Sequence, residues 1–128
     1  MSYYFNKGVD CSFSEAVERA KEALKAEGFG VLCEIDVQKV LKEKLGVDFY
    51  PYMILGACNP AYSYRAIQAE DKIGLMLPCN LIVQEREPGQ VEISAVDPLE
   101  SMRTVDNTRL LQVALEVQKK FKSVVEGL

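Results

Sequence analysis

Two cysteine–asparagine pairs are the residues of this chain whose types and spacing could do chemistry. They stand in the stretches Cys58-Asn59-Pro60 and Pro78-Cys79-Asn80. A cysteine thiolate is a nucleophile and a ligand for soft metals, and an amide side chain can bind a ligand through hydrogen bonds. Each pair has to be compared with its structural alternative before it is treated as a site.

The first pair places a thiol next to the start of a helix. Asn59 and Pro60 are typical of an N-cap and a first helical residue, and they predict a helix that runs to about Asp71. The positive end of a helix and its free amide groups stabilise a thiolate, which would make Cys58 a better nucleophile or metal ligand. The alternative is that Cys58 is a compact apolar residue at the end of a strand. Cys58 is therefore the best candidate for a catalytic residue, and its reactivity depends on its exposure.

The second pair lies inside a predicted strand, Ile73–Glu85. Cys79 alternates with aliphatic residues along this strand, which favours a place in the core. Asn80 points the other way, and an amide in the middle of a strand is disfavoured. Pro78 lacks an N–H group and indicates a sheet edge or a bulge, which could aim Asn80 at a site. The alternative for Asn80 is an amide that faces solvent or bonds to a turn.

The two cysteines could act as one site if the strands that carry them are neighbours. Cys58 and Cys79 could then face one cavity and hold a soft metal or form a transient disulfide. The chain has no histidine and no CxxC pair, so no metal site is predicted.

Four tyrosines flank Cys58 on both sides. Their rings could form the walls of a small-molecule pocket, lie in a dimer contact, or pack in the core. The tyrosines are Tyr50, Tyr52, Tyr62 and Tyr64. The predicted ligand-binding residues are Cys58, Cys79, Asn80, Tyr52 and Tyr62.

Composition limits the function classes. A chain of 128 residues fits a single domain, 1–128, and its net charge of -4 argues against binding to nucleic acid or to anionic membranes. No apolar run is long enough to span a membrane and no export signal is visible, which predicts a cytoplasmic protein with free thiols. The chain has no histidine, which is the commonest general base. A Ser-His-Asp triad or a Cys-His dyad therefore cannot form within the chain. The sequence implies no cofactor and argues against a self-sufficient enzyme.

The first half of the chain predicts two strands and two helices. A strand at 2–9 precedes a helix that begins with the capping box Ser12-Phe13-Ser14-Glu15 and ends before Gly28. Asp36 is predicted to cap a second helix that ends at Gly46. The apolar residues expected on one buried strand face are Phe29, Val31, Cys33 and Ile35, and those expected inward on the second helix are Val37, Val40, Leu41 and Leu45.

The second half predicts three strands and two helices. Phe49–Cys58 leads to the helix after Asn59, and Ile73–Glu85 and Val91–Val96 form a hairpin around the turn at 87–90. A long helix begins near 106–108, and its wide apolar arc fits a deeply covered helix or a subunit contact. The order predicts an α+β fold with about five antiparallel strands and helices packed on one face.

Three stretches carry a resemblance to a known family. VLCEIDVQKVLKEKLGVDFYPYMILGACNP, IGLMLPCNLIVQE and VEISAVDP resemble the family catalogued as domain of unknown function 302. The resemblance extends over nearly the whole chain. It implies a fold similar to that of the TATA-binding protein, with a β-α-β4-α core and two inserted helices. It also implies a homodimer, which we expect to form through the sheet or the C-terminal helix, and it implies no established activity.

Three functions follow as hypotheses. The first is a small homodimeric cytoplasmic protein that binds a small molecule or acts through a thiol near Cys58. The second is a redox or thiol-transfer enzyme that depends on Cys58, with Cys79 as the resolving thiol. The third is a structural dimer that contacts another protein.

Overall fold

The computed structural model describes residues 2–128, which form a five-stranded antiparallel sheet with helices. The order of secondary structure confirms the predicted α+β class, and it is compatible with the β-α-β4-α core that the family resemblance implies. A 3-10 helix at Asp71–Met76 precedes the fourth strand. The elements are β1 (Tyr4–Val9), α1 (Phe13–Ala26), β2 (Gly30–Asp36), α2 (Val37–Leu45), β3 (Tyr52–Cys58), α3 (Pro60–Ala69), β4 (Cys79–Glu87), β5 (Gln90–Val96), α4 (Pro98–Ser101) and α5 (Thr108–Glu126).

The sheet has the strand order β1-β5-β4-β3-β2, and every neighbouring pair is antiparallel. Helices α1 and α5 pack against one side of it, which we call the helix face, and the opposite side is the open face. Successive residues of a strand point to opposite faces, so Leu81 and Val83 are fully buried on the helix face while Asn80 is exposed on the open face. The core therefore lies between the sheet and the helices.

Local signals fix both ends of α1. Ser12 Oγ accepts a hydrogen bond from Glu15 N at 3.1 Å, as the capping box predicts. The Glu15 carboxylate pairs with Arg19 at 3.4 Å. At the other end Gly28 has a φ of +86°, and Phe29 N donates to Leu24 O at 2.9 Å. The predicted end at Gly28 is confirmed.

The prediction of one buried face for β2 is confirmed for Phe29 and Val31 and is wrong for Cys33 and Ile35. The register with β3 shifts between Val31 and Cys33, which moves the following side chains to the other face. Cys33 and Ile35 consequently lie on the open face, and both are exposed. Because β2 is also an edge strand, it has a neighbour on one side only.

The inward direction predicted for the apolar side of α2 is also wrong. Its caps are as predicted, since the Asp36 side chain accepts from Lys39 N and Gly46 adopts a φ of +67°. However, no residue of α2 is buried, and Val40 and Leu45 are 43% and 69% exposed. An amphipathic helix needs a surface to cover its apolar side, and α2 extends from an edge strand that provides none.

The fourth strand is shorter than predicted. It begins at Cys79, and Ile73 lies instead in the 3-10 helix before it. The peptide bond Leu77–Pro78 is cis, and Pro78 immediately precedes the strand. Strand β4 is central, so Pro78 marks neither the sheet edge nor the bulge that its lack of an N–H group had suggested. The same shift leaves Leu75, predicted to be core, 87% exposed.

The C-terminal half otherwise follows the prediction. Gly89 has a φ of +84° in the turn between β4 and β5. Asn107 caps α5 by accepting from Leu110 N at 3.1 Å, and its amide donates to Ala69 O at 2.6 Å, which joins α5 to the end of α3. Among residues 2–128, no helix combines the length and apolar character required to cross a membrane.

Candidate functional site

A small cavity on the helix face contains both cysteines of the Cys-Asn pairs. Its volume is about 30 Å³, which is close to the volume of one water molecule in the liquid. Cys58 and Cys79 both line it, and we call it the thiol cavity. Its other walls come from α3, α5, the segment around α4 and the end of β3, and they include Phe29, Ala57, Tyr62, Ser63, Ala66, Met102 and Val117.

The Cys58 thiol is held by the first turns of α3. Asn59 is the N-cap, and its side-chain oxygen accepts from Ala61 N at 3.1 Å, so its predicted structural role is confirmed. Cys58 Sγ lies 2.9 Å from Ser63 Oγ, within hydrogen-bonding distance. Cys58 is partly exposed as a residue, whereas Cys79 is buried.

The Cys79 thiol has the opposite environment. Its side chain is 8% exposed, as its predicted core position requires. Burial raises the pKa of this thiol to about 11, and the nearby Cys58 adds to the rise. Cys79 is therefore protonated at neutral pH, and it is a poor nucleophile by itself.

A second concave site lies on the open face. It is a groove of about 530 Å³, a size that accommodates a small molecule. Ile82 of β4 and Ser94 of β5 lie next to each other in the register and contribute to its centre. We call it the open-face groove, and it is lined by Tyr3, Tyr4, Asn6, Tyr52, Asn80, Ile82, Gln84, Arg86, Glu92, Ser94, Ala95 and Val96.

Tyrosines come to the open-face groove from distant parts of the sequence. Tyr3 and Tyr4 enter from the β1 side and Tyr52 from β3, across the two strands between them. Partial burial raises the pKa of the Tyr52 hydroxyl above its ordinary value, and Tyr50 and Tyr3 contribute further. Tyrosine rings therefore line the groove on both of its sides. The Tyr52 hydroxyl is neutral at neutral pH and can form hydrogen bonds.

The groove also offers ordered polar groups. Ser94 is 8% exposed and donates to Asn6 Oδ1 at 2.6 Å, which fixes the Asn6 carboxamide. The Asn6 amide lies 3.5 Å from the Glu92 carboxylate. A ligand at the Asn6 side of the groove would therefore meet both hydrogen-bond donors and hydrogen-bond acceptors.

The structure divides the five predicted ligand-binding residues between these two sites. Cys58, Cys79 and Tyr62 line the thiol cavity, whereas Asn80 and Tyr52 line the open-face groove. The sheet lies between the two groups, so they cannot contact one ligand together. The single pocket near Cys58, Asn80 and the tyrosines, as the first hypothesis pictured it, is therefore replaced by two separate sites.

The other two tyrosines near Cys58 lie elsewhere. Tyr64 is on α3 and is 66% exposed. Tyr50 precedes β3 and stacks on Phe49 with ring centroids 4.1 Å apart. Of the four tyrosines considered, one lines each site and two line neither.

Two contacts of the candidate sites were not predicted from the sequence: Cys58 with Ser63, and Asn6 with Ser94. Ser63 follows the N-cap Asn59 by four positions and Cys58 precedes it by one, which is the spacing at which apolar side chains meet in a hydrophobic staple. That spacing could have identified the Cys58–Ser63 contact. The pairing of Asn6 with Ser94 could not have been found in this way, because it depends on the pairing of β1 with β5.

No group of three or more histidine, cysteine, aspartate or glutamate side chains within residues 2–128 is arranged to hold a metal ion. The two thiols of the thiol cavity have no further ligand of these types beside them.

Comparison with known proteins places the whole chain in one group. The sequence profile of a family described as "Domain of unknown function DUF302" matches residues 5–128. A crystal structure of an uncharacterized conserved DUF302 protein from Bacillus stearothermophilus is 31% identical in sequence and superposes with a TM-score of 0.90. That similarity covers 98% of each chain. No curated protein matches.

Proposed function

This chain belongs to the DUF302 family, as the resemblance of its sequence predicted, and we propose that it is a small-molecule-binding protein whose ligand site is the open-face groove. The single observation that supports this function is the combination of a groove of about 530 Å³ with tyrosines on both sides and fixed polar groups at its centre. Most ligand sites have this composition of aromatic walls and a few placed hydrogen-bonding groups.

The groove favours a planar ligand of low net charge. The rings of Tyr4 and Tyr52 offer flat apolar surfaces, and the Asn80 amide can donate and accept hydrogen bonds. Arg86 and Glu92 bring one positive and one negative charge to the lining. The ligand class that fits is therefore an uncharged or zwitterionic molecule with a flat ring and hydrogen-bonding groups at its edge.

Binding of Nile red, a planar uncharged dye, tests the groove. We expect the dye to fluoresce on binding to the native protein and Tyr52→Ala to weaken its binding about tenfold, since one aromatic contact contributes on the order of 1 kcal/mol. The matched control is Tyr64→Ala, because Tyr64 is an exposed tyrosine outside the groove. Titration of the dye by fluorescence measures both affinities. Equal affinities of the two variants would contradict the proposal. Displacement of the dye by a metabolite collection would then identify ligands.

The proposal includes a homodimer that forms through the β2 edge of the sheet. Leu32 and Ile35 on this edge strand are 70% and 43% exposed, and Leu45 of the adjacent α2 is 69% exposed. An uncovered apolar edge strand is a template for pairing with another chain. The alternative route, α5, uses most of its apolar residues for its own core and leaves Leu115 exposed. A second copy of β2 and α2 is the partner that covers both exposed surfaces.

Light scattering after size exclusion tests the dimer. We expect the native protein to run as a dimer at micromolar concentration and the double variant Leu32→Lys/Leu45→Lys to run as a monomer, because it places charges in the proposed contact. Leu115→Lys, a comparable change on α5, should remain a dimer. A native monomer, or dissociation by the Leu115 variant alone, would exclude the β2 edge as the interface.

The proposed compartment is the cytoplasm. All four cysteines are free, in agreement with a reducing environment. Cys33 is exposed, and an exposed thiol is readily oxidised outside such an environment.

A further inference from the structure

The thiol cavity contains two thiols and no charged side chain, an arrangement that ligand binding on the open face does not use. Cys58 Sγ is paired with Ser63 Oγ, whereas the Cys79 thiol makes no hydrogen bond among residues 2–128. Cys79 is 8% exposed, and both cysteines line the same cavity of about 30 Å³. A buried thiol without a partner beside a partly exposed cysteine is a pair suited to oxidation.

The backbone places the two cysteines at the separation of a disulfide. Cys79 is the register partner of Ala57, and Cys58 is the next residue of β3. With strands about 4.8 Å apart and a rise of about 3.3 Å per residue, the diagonal Cα separation is about 6 Å. Disulfides span Cα separations of roughly 4.4–6.8 Å, so the backbone separation suits the bond. Because Cys58 directly follows Ala57, the register partner of Cys79, closure also requires the end of β3 to turn the Cys58 side chain toward Cys79.

We propose that hydrogen peroxide oxidises Cys58 and that Cys79 then closes a Cys58–Cys79 disulfide within the thiol cavity. The Cys58 sulfur attacks one peroxide oxygen, the O–O bond breaks, and the leaving oxygen departs as water after it takes up a proton. Cys58 is then a sulfenic acid. The Cys79 sulfur attacks the Cys58 sulfur, the S–S bond forms, and the hydroxyl group leaves as a second water with the Cys79 proton. Two thiols lose two electrons and one peroxide is reduced to two waters.

The geometry gives each residue a separate role. Cys58 is partly exposed and meets the oxidant first, with the Ser63 hydroxyl 2.9 Å from its sulfur to stabilise negative charge as it attacks. Cys79 is the resolving thiol and is screened from solvent. The cavity of about 30 Å³ is large enough to hold the water released from the sulfenic acid.

The resolving step should be slow at neutral pH. The pKa of Cys79 is raised to about 11 by its burial, so only roughly one molecule in ten thousand carries the Cys79 thiolate at pH 7. The titratable side chains that line the cavity are Cys58 of β3, Cys79 of β4 and Tyr62 of α3, while α5 contributes apolar residues. The sulfenic acid of Cys58 should therefore accumulate before the disulfide closes.

Treatment with hydrogen peroxide followed by mass spectrometry tests the proposal. The digest of the treated native protein should contain a peptide pair that joins Cys58 to Cys79. Cys79→Ser should stop at the sulfenic acid, which dimedone traps, and Cys58→Ser should form neither species. The double variant Cys11→Ser/Cys33→Ser should still form the bond, since both residues lie outside the cavity.

The pH dependence supplies a second measurement on the native protein that needs no variant. The rate of disulfide closure after a peroxide pulse should rise about tenfold per pH unit between pH 7 and pH 10, because the thiolate fraction of Cys79 rises in that proportion below its pKa of about 11. A disulfide that involves Cys11 or Cys33, or no oxidation of Cys58 at any pH, would overturn the inference. Because no cysteine lines the open-face groove, these outcomes are independent of dye binding there.

Discussion

Replacing Phe121 by alanine should lower the free energy of unfolding by about 3–5 kcal/mol, the cost of removing a large aromatic side chain from a close-packed core. Phe121 of α5 is 0% exposed. Its ring centroid lies 5.1 Å from that of Phe29, and the Phe29 ring stacks on Tyr62 at 6.1 Å. The loss is a large fraction of the roughly 5–15 kcal/mol that stabilises a typical domain.

The same change should also expose the thiol cavity. Phe29 and Tyr62 line that cavity, so a vacancy at position 121 removes the support behind one of its walls. We expect Cys79 to be alkylated faster in Phe121→Ala than in the native protein when the two are compared at one pH below the pKa of Cys79. This second effect would show that the ring of Phe121 keeps the resolving thiol buried.

Chemical denaturation and Cys79 alkylation followed by mass spectrometry are the measurements. Leu115→Ala is the control, because Leu115 lies on the same helix and is 43% exposed, and its loss should cost within about 0.5 kcal/mol. Equal stability of the two variants would show that the Phe29–Phe121 contact does not support the core.

Gly56→Ala should lower the free energy of unfolding by about 1–3 kcal/mol, because the added methyl group has no space. A Cβ at Gly56 would lie 2.5 Å from Cys33 Sγ and 2.7 Å from the Cγ of Pro78. The backbone of the interior strand β3 therefore stays close to both side chains only while residue 56 is glycine. The proline ring is rigid, so relief has to come from movement of the Cys33 side chain or of the strand.

Two variants separate this steric effect from the general effect of removing a glycine. Gly30→Ala, on the neighbouring strand, has nothing within 4 Å of the added atom and should change stability by about 0.5 kcal/mol or less. Cys33→Ala/Gly56→Ala should recover part of the loss, since it removes one of the two clashing atoms. The free energies of unfolding of the native protein, Cys33→Ala, Gly56→Ala and the double variant form a double-mutant cycle, and a coupling near zero would mean that Cys33 is not the obstacle.

Features set by short stretches of chain were predictable. The α1 cap at Ser12, the Asn59-Pro60 start of α3, the turn with Gly89 and the cap of α5 at Asn107 each depend on residues a few positions apart. These contacts form inside the element or turn that they define, so the residue types themselves select the geometry.

Features that depend on position in the sheet were not predictable. The face of Cys33 and Ile35 was predicted incorrectly because one shift of register in β2 reverses which face its side chains point to. No residue type in that strand indicates the shift. The apolar side of α2 was predicted to be buried because its residues have amphipathic spacing. Such spacing indicates that a helix has an apolar side, but it does not indicate whether neighbouring elements pack against that side.

The candidate sites show the same division. The sequence by itself determined the family, the α+β class, the structural role of Asn59 and the two cysteines that deserve a chemical test. Only the tertiary structure decided that Cys58 and Cys79 share a cavity while Asn80 and Tyr52 face a groove on the other side of the sheet. The physical reason is that strand order and register bring together residues such as Asn6 and Ser94, which are 88 positions apart. Strands pair through backbone hydrogen bonds, and these form whatever the side chains are.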